Sequence, residues 1–159
     1  MIVRIGNGYD VHRLAEGLDL WLGGCRIAHS KGAIAHSDGD VLIHAICDAL
    51  LGAAALRDIG YHFPDTDPEY KNIDSKELLK KTVAMIRKAG YEISNIDTTI
   101  CLQQPKISDY IPQMQQTLAE VLQIDDTQLS IKATTTETLG FVGREEGVAA
   151  YAVALLVVC

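Results

Sequence analysis

Asp40 to Leu56 reads as a helix that is apolar nearly all round, through Val41, Leu42, Ile43, Ala45, Ile46, Cys47, Ala49, Leu50 and Leu51. Such a cylinder is stable only when other layers cover most of its circumference. At 159 residues the chain is long enough for one domain with a substantial core to do this. The polar exceptions, Asp40, His44 and Asp48, recur every four residues and make one stripe on the greasy surface. An unpaired imidazole at His44 would be costly to desolvate there. Asp40 and Asp48, one turn either side, are candidates to orient its second nitrogen.

The remaining elements supply the cover. Val3 to His12 reads as a strand, and Leu18 to Ile27 as a short strand pair around Gly23-Gly24. His29 to Gly39 reads as loop, as does Arg57 to Ile73 with Pro64 and Pro68; loops of that length are often functional. Asp74 with Glu77 three residues on suggests a capping box for a helix through Leu78, Leu79, Val83 and Ile86, stopped at Gly90. Tyr91 to Leu102 reads as a strand that Pro105 ends. Ser108 or Asp109 then caps a helix with Ile111, Met114, Leu118 and Leu122 on one face. Leu129 to Ala133 is a short strand, Thr134 to Glu146 a polar loop, and Gly147 to Val158 a strand apolar on both faces. The order predicts an α+β fold, a single-domain sandwich of a mostly antiparallel or mixed sheet with helices packed on one side. The second face of the last strand needs cover, from the chain's own helices or from another subunit.

The balance of 14 Lys+Arg against 21 Asp+Glu argues against nonspecific nucleic-acid binding, because no excess cation is present to neutralise phosphates. A phosphate-bearing substrate would need positive charge supplied locally. Cys25, Cys47, Cys101 and Cys159 have no C-x-x-C spacing and read as reduced and mostly buried. The first residues carry no leader pattern, and the longest apolar run, Val148 to Cys159, is too short to span a bilayer. These features lead us to expect a soluble, cytoplasmic protein with no membrane partner.

Asp10 and His12, two apart on a strand, share a face. With His44 from the helix they could form three nitrogen and oxygen ligands with one position open, the arrangement of a catalytic zinc. The competing reading is a salt-linked surface pair and an unrelated core histidine. His36-Ser37-Asp38-Gly39-Asp40 offers an N-cap at Ser37 or Asp38 and, with His36, a candidate anion site at the helix start. Thr134-Thr135-Thr136-Glu137 is by default a strand end with turn residues; functionally, its hydroxyls suit phosphate and Glu137 suits Mg²⁺ or Mn²⁺. Gly6-Asn7-Gly8 lacks the third glycine of a dinucleotide fingerprint. Gly140 to Arg144 reads as a turn in which Arg144 could bind an anion.

The blocks RIGNGYDVHRL, LGG, AHSDGDVLIHAICDALLGAAALRDIGYHFPDTDP, NIDTTI, QQPKI, IKATTTETLGFVGREEG and AVALL, in this order from Arg4 to Val158, resemble the 2-C-methyl-D-erythritol 2,4-cyclodiphosphate synthase family. The resemblance implies a homotrimer with active sites between subunits and a cytidine diphosphate substrate cyclised with loss of CMP. It implies Zn²⁺ on Asp10, His12 and His44, and Mg²⁺ or Mn²⁺ on Glu137 bridging two phosphates. His36 and Thr135 take the place of transition-state stabilisers, with Ser37 beside His36 on the diphosphate. Asp58, Ile59 and Gly60 match the segment holding the ribose and the methylerythritol unit. Phe63, Pro64, Asp65, Thr66 and Asp67 match a loop over the erythritol end. Leu102, Gln103, Gln104, Pro105, Lys106, Ile107 and Ser108 match a cytosine pocket lent by a neighbouring subunit. Thr134, Thr135 and Thr136 match a nucleotide-phosphate segment, and Phe141 and Arg144 match further binding positions. Tyr151 stands where some relatives carry Glu, which would leave Arg144 without that carboxylate partner. A zinc-dependent phosphohydrolase and a non-catalytic trimer that binds a cytidine nucleotide or an isoprenoid diphosphate are the competing functional classes.

Overall fold

The computed structural model describes residues 2–158, so Cys159 lies outside the described residues. A five-stranded sheet runs in the order β4-β1-β7-β5-β6, from β1 (Val3–Glu16), β4 (Lys31–Ala33), β5 (Tyr91–Cys101), β6 (Leu129–Thr134) and β7 (Gly147–Val158). The β5–β6 pair is parallel and the other pairs are antiparallel, so the sheet is mixed. Three longer helices, α1 (Val41–Ala53), α3 (Ser75–Lys88) and α4 (Ile111–Leu122), pack against it and one another. The α+β architecture follows the alternation read from the sequence.

The all-round apolar segment is α1, with eleven buried residues. It lies against β1 and β7. Each large aliphatic chain it buries, such as Ile43, Ile46 or Leu50, contributes roughly 1.5–3 kcal/mol. The sheet beneath it is unusually smooth. Gly6 pairs with Ala154 and Gly8 with Ala152, so small residues from both strands share one patch of that face. A Cβ on Gly6 would lie 1.9 Å from the Ala49 carbonyl oxygen, and one on Gly8 1.8 Å from that of Ala45. The two glycines therefore admit a helix backbone, not a nucleotide.

Local chemistry departs from expectation at the element ends. The strand read as ending at His12 continues to Glu16, because Lys31–Ala33 pairs with its end. That β4 lies inside the expected loop 29–39. The N-cap of α1 is Asp40, not Ser37 or Asp38: its fully buried carboxylate accepts from Ile43 N at 3.1 Å. Ser37 and Asp38 instead close the turn before it, accepting from Gly39 N and Asp40 N. Asp40 also accepts from Gly23 N and Gly24 N at 3.0 and 2.7 Å. Those two glycines, both at positive φ, turn the β2 (Leu20–Leu22) and β3 (Cys25–Ile27) hairpin.

Asp74 does cap α3, through Lys76 N, while Glu77 pairs with Lys80 rather than closing a capping box. Neither Ser108 nor Asp109 caps α4; a 3-10 turn over Ser108–Tyr110 feeds into it without a side-chain cap. The expected loop 57–73 holds α2 (Ile59–His62) and a 3-10 turn at Pro68–Tyr70. The expected loop 134–146 holds α5 (Gly140–Gly143).

β7 has one covered face. Val148, Ala150, Ala152, Ala154 and Leu156 are buried, whereas Tyr151 and Val153 on the other side are 47% and 38% exposed. Their neighbours on β1, Ile5, Tyr9 and Val11, are exposed too. The chain's own helices do not cover this apolar face.

Candidate metal centre and its cleft

The same smooth patch positions the site. Along β1, Gly8, Asp10 and His12 follow one another on the face that α1 lies against. Because Gly8 lets the Ala45 backbone come close, the preceding residue, His44, is delivered to the two side chains just beyond. Asp10 Oδ2, His12 Nε2 and His44 Nδ1 form a triangle with sides of 2.9, 3.0 and 3.1 Å. Ligand atoms about 2.0 Å from a tetrahedral ion are separated by roughly 3.3 Å, so the triangle is close to a coordination face. These three residues could hold a metal ion. One carboxylate and two imidazoles suit zinc and related divalent cations, and three protein ligands leave a position for something else.

The closeness of the three groups also shows in their electrostatics in the absence of a cation. Burial by itself would raise the Asp10 carboxyl, but hydrogen bonds with His12 and His44 outweigh it and hold the group well below the usual carboxylate range. Burial by itself would lower His44, and the bond to Asp10 outweighs it, so the net direction is upward. The site is therefore anionic at one corner and shielded from water at another.

The expected orienting carboxylates do not orient His44. Asp40 is spent on the hairpin and its own helix, and Asp48 Oδ1 accepts from Ile59 N at 2.7 Å. That bond fixes the start of α2 against α1. His44 Nε2 instead meets Ser75 Oγ at 2.9 Å and Ser37 Oγ at 3.2 Å. Ser75 is fully buried and bonds in turn to Asp38. The sequence signal for Ser75 was weak, since it reads only as the residue after a helix cap.

The cluster opens into a cleft of about 460 Å³ whose walls include His36, Ser37, Ile59, Gly60, Phe63, Pro64 and Asp65. Tyr70, Ile73 and Leu78 also line it, positions the sequence reading passed over. His36 Nε2–H donates to the Asp67 carbonyl at 3.2 Å, tying the loop to the residues before α1. Asp58 N-caps α2 through Tyr61 N. Thr66 is exposed next to this wall.

Other expected site residues lie elsewhere. Leu102 N donates to the Thr134 carbonyl at 3.0 Å and Thr138 N to Gln103 Oε1, so the start of the Leu102–Ser108 segment and the Thr134–Glu137 segment lie side by side where β5 and β6 end. Residues of these segments do not line the cleft, and Glu137 is not in the metal cluster. Leu102 and Ile107 are buried in the core, while Gln104, Lys106 and Ser108 are exposed. Glu137 and Thr138 have φ of 54° and 63°, a strained backbone for residues with a Cβ. Thr135 Oγ1 accepts from Glu137 N at 3.3 Å, and Thr136 Oγ1 donates to the Leu139 carbonyl. Phe141 and Arg144 line a different hollow of about 550 Å³ that adjoins His12 and Lys31. Arg144 does have a carboxylate partner: it pairs with Glu146 at 2.7 Å, two residues away, rather than with the last strand.

The chain matches the sequence model of the YgbB family over residues 3–157. It is 66% identical over 154 residues to 2-C-methyl-D-erythritol 2,4-cyclodiphosphate synthase of Porphyromonas gingivalis, covering 97% of this chain and 95% of that one. Among solved structures, the bifunctional IspDF of Campylobacter jejuni superposes with a TM-score of 0.96 at 46% identity; the match covers 99% of this chain and 43% of that longer one. IspF of Plasmodium falciparum, solved as a CDP complex, superposes with a TM-score of 0.86 at 36% identity over 98% of this chain and 96% of that one.

Proposed function

The chain belongs to the YgbB family, and from that premise and the name of its curated relatives we propose that it converts 4-diphosphocytidyl-2-C-methyl-D-erythritol 2-phosphate to 2-C-methyl-D-erythritol 2,4-cyclodiphosphate with release of CMP. It is an enzyme, a phosphorus–oxygen lyase of the non-mevalonate isoprenoid pathway. The observation that carries the mechanism is the convergence of Asp10, His12 and His44 at a cleft walled by His36, Ser37 and the 59–65 segment.

The reaction is an intramolecular phosphoryl transfer. The 2-phosphate attacks the β-phosphorus and CMP leaves. Attacker and target are both anionic and repel each other. Asp10, His12 and His44 would hold a divalent cation, Zn²⁺ in this reading, and such an ion would supply positive charge to offset this repulsion. Glu137 would be the carboxylate to hold Mg²⁺ or Mn²⁺. His36 and Thr135 stabilise charge on the transferring phosphoryl group, with Ser37 and Thr134–Thr136 contacting phosphate oxygens. Asp58–Gly60 and Phe63–Asp67 hold the sugar and erythritol units folded back on themselves, and this positioning contributes much of the rate. No general base is assigned, since a phosphate is already an ionised nucleophile.

Each chain carries the two parts of the site apart. The metal cluster and its cleft are one part; Leu102–Ser108 with Thr134–Glu137 are the other. This separation supports sites completed between subunits, with Lys106 and its neighbours closing over the cytosine of the adjacent chain. The exposed apolar sheet face of Ile5, Tyr9, Tyr151 and Val153 supports a homotrimer assembled through the sheets. Among the described residues no helix is long and apolar enough to cross a membrane, in keeping with a cytoplasmic enzyme.

Product analysis tests the reading. Incubation with the cytidine substrate is expected to yield CMP and the cyclic diphosphate in equal amounts. Phosphate carrying ¹⁸O from labelled water, with no cyclic product, would instead make the protein a metal-dependent phosphohydrolase.

A further inference from the structure

We propose that Ser75, held by Asp38, is a positioning residue that keeps the ring hydrogen of His44 on Nε2 and so reserves the Nδ1 lone pair for the divalent cation. The purpose of this device rests on the metal reading above; its geometry does not.

Ser75 is the first residue of α3 and is fully buried. Its Oγ lies 2.9 Å from His44 Nε2 and 2.5 Å from Asp38 Oδ1. A hydroxyl has one hydrogen to give, and a carboxylate only accepts. The Ser75 hydrogen therefore belongs to Asp38, which leaves Oγ as an acceptor and makes His44 Nε2 the donor. Asp38 is fixed in this role from two sides. Its Oδ2 accepts from Ser75 N at 2.9 Å and its Oδ1 from Asp40 N at 3.1 Å.

A pull acts in the opposite direction. Asp10 Oδ2, 3.0 Å from His44 Nδ1, is an acceptor for a hydrogen on that nitrogen. If a neutral His44 carried its hydrogen there, Ser75 would have to turn its hydroxyl toward Nε2 and abandon Asp38, the shortest bond of the network. Ser75 is fully buried at the start of α3, out of reach of bulk solvent that could replace that bond. Ser37 Oγ, 3.2 Å from the same ring nitrogen, is the longer contact and faces the cleft. A hydrogen bond that fixes the tautomer of a ligating histidine characteristically changes metal affinity without touching the metal.

The experiment uses the metal-free chain labelled with ¹⁵N at histidine, then zinc titrated against a chromophoric chelator. At a pH high enough for His44 to be neutral, the wild-type spectrum is expected to show a hydrogen on Nε2 and a lone pair on Nδ1 of the same ring. Ser75→Ala is expected to weaken zinc binding roughly 10–100-fold, with Ser75→Thr, which keeps the hydroxyl, recovering most of it. A lone-pair type Nε2 signal in the wild-type chain overturns the proposal, and so does wild-type zinc affinity in a folded Ser75→Ala chain. The wild-type spectrum decides the matter even if Ser75→Ala does not fold. A wild-type chain with a hydrogen on Nε2 and no affinity for zinc would remove the metal reading while leaving this placement of the hydrogen standing.

Discussion

Gly8 and Ala45 are in backbone contact: a Cβ on Gly8 would stand 1.8 Å from the Ala45 carbonyl oxygen and 2.8 Å from Ala49 N. This contact sets the height of α1 above β1. It thereby sets the distance from His44 to Asp10.

Gly8→Ala should act on the metal site without altering any ligand. The helix must lift, since the obstacle is backbone. Overpacking of this kind costs roughly 1–3 kcal/mol or more. Thermal unfolding is expected to fall, and zinc affinity to fall with it. Wild-type zinc affinity in Gly8→Ala would mean that the closeness of α1 does not position His44.

His44→Ala removes one corner of the triangle. Turnover should drop by roughly 10²–10³-fold, the usual loss when a charge-stabilising contact is deleted, while the oligomer persists. CMP release and sedimentation velocity are the two readouts. Unchanged turnover would take the metal cluster out of the mechanism.

Lys106 lies outside the cleft of its own chain. If it serves a neighbour's cleft, Lys106→Ala and His44→Ala chains, each expected to be strongly impaired alone, should regain some activity when mixed into hybrid oligomers. One subunit interface then carries both intact halves. No recovery after mass spectrometry has demonstrated mixing would count against shared sites.

Val153 sits on the uncovered face of β7. Val153→Glu leaves a single chain's core untouched but would bring like charges together in a sheet-to-sheet trimer, where unpaired buried charge is costly. The expected result is a folded monomer by circular dichroism and sedimentation. A stable trimer would place the interface elsewhere.

Cys47 is fully buried on α1, and that burial pushes its thiol up to about 12. In the unfolded chain the thiol ionises near its ordinary value, so between about pH 9 and 12 the unfolded state binds fewer protons than the folded one. Stability from this group then declines with rising pH, by about 1.4 kcal/mol per unit. The stability advantage of wild type over Cys47→Ala, measured by urea denaturation, should shrink across that range. Folded protein at pH 8 should also resist alkylation at Cys47.

Element types were legible because they repeat locally. The apolar run of α1, the spacing of Ile111, Met114, Leu118 and Leu122 by three or four residues along α4 and the Gly-Gly turn each involve residues close along the chain. The candidate metal ligands were legible for a similar reason: Asp10 and His12 alternate on a strand, and His44 breaks an apolar helix. Less legible were the partners of buried polar groups. Asp40 and Asp48 stand one turn from His44 in sequence, yet their carboxylates bind backbone N–H groups of Gly23, Gly24 and Ile59. Ser75, thirty-one residues away, takes the place expected of them.

The sequence by itself determined which side chains offer nitrogen and oxygen to a cation and which faces must be hidden from water. Only the tertiary structure decided that Gly6 and Gly8 are a bed for α1, that His44 meets Asp10, and which hydroxyl holds its far nitrogen. Periodicity reports burial, a property each residue has almost independently. Hydrogen-bond pairing is exclusive, and which donor finds which acceptor is settled only once distant segments pack together.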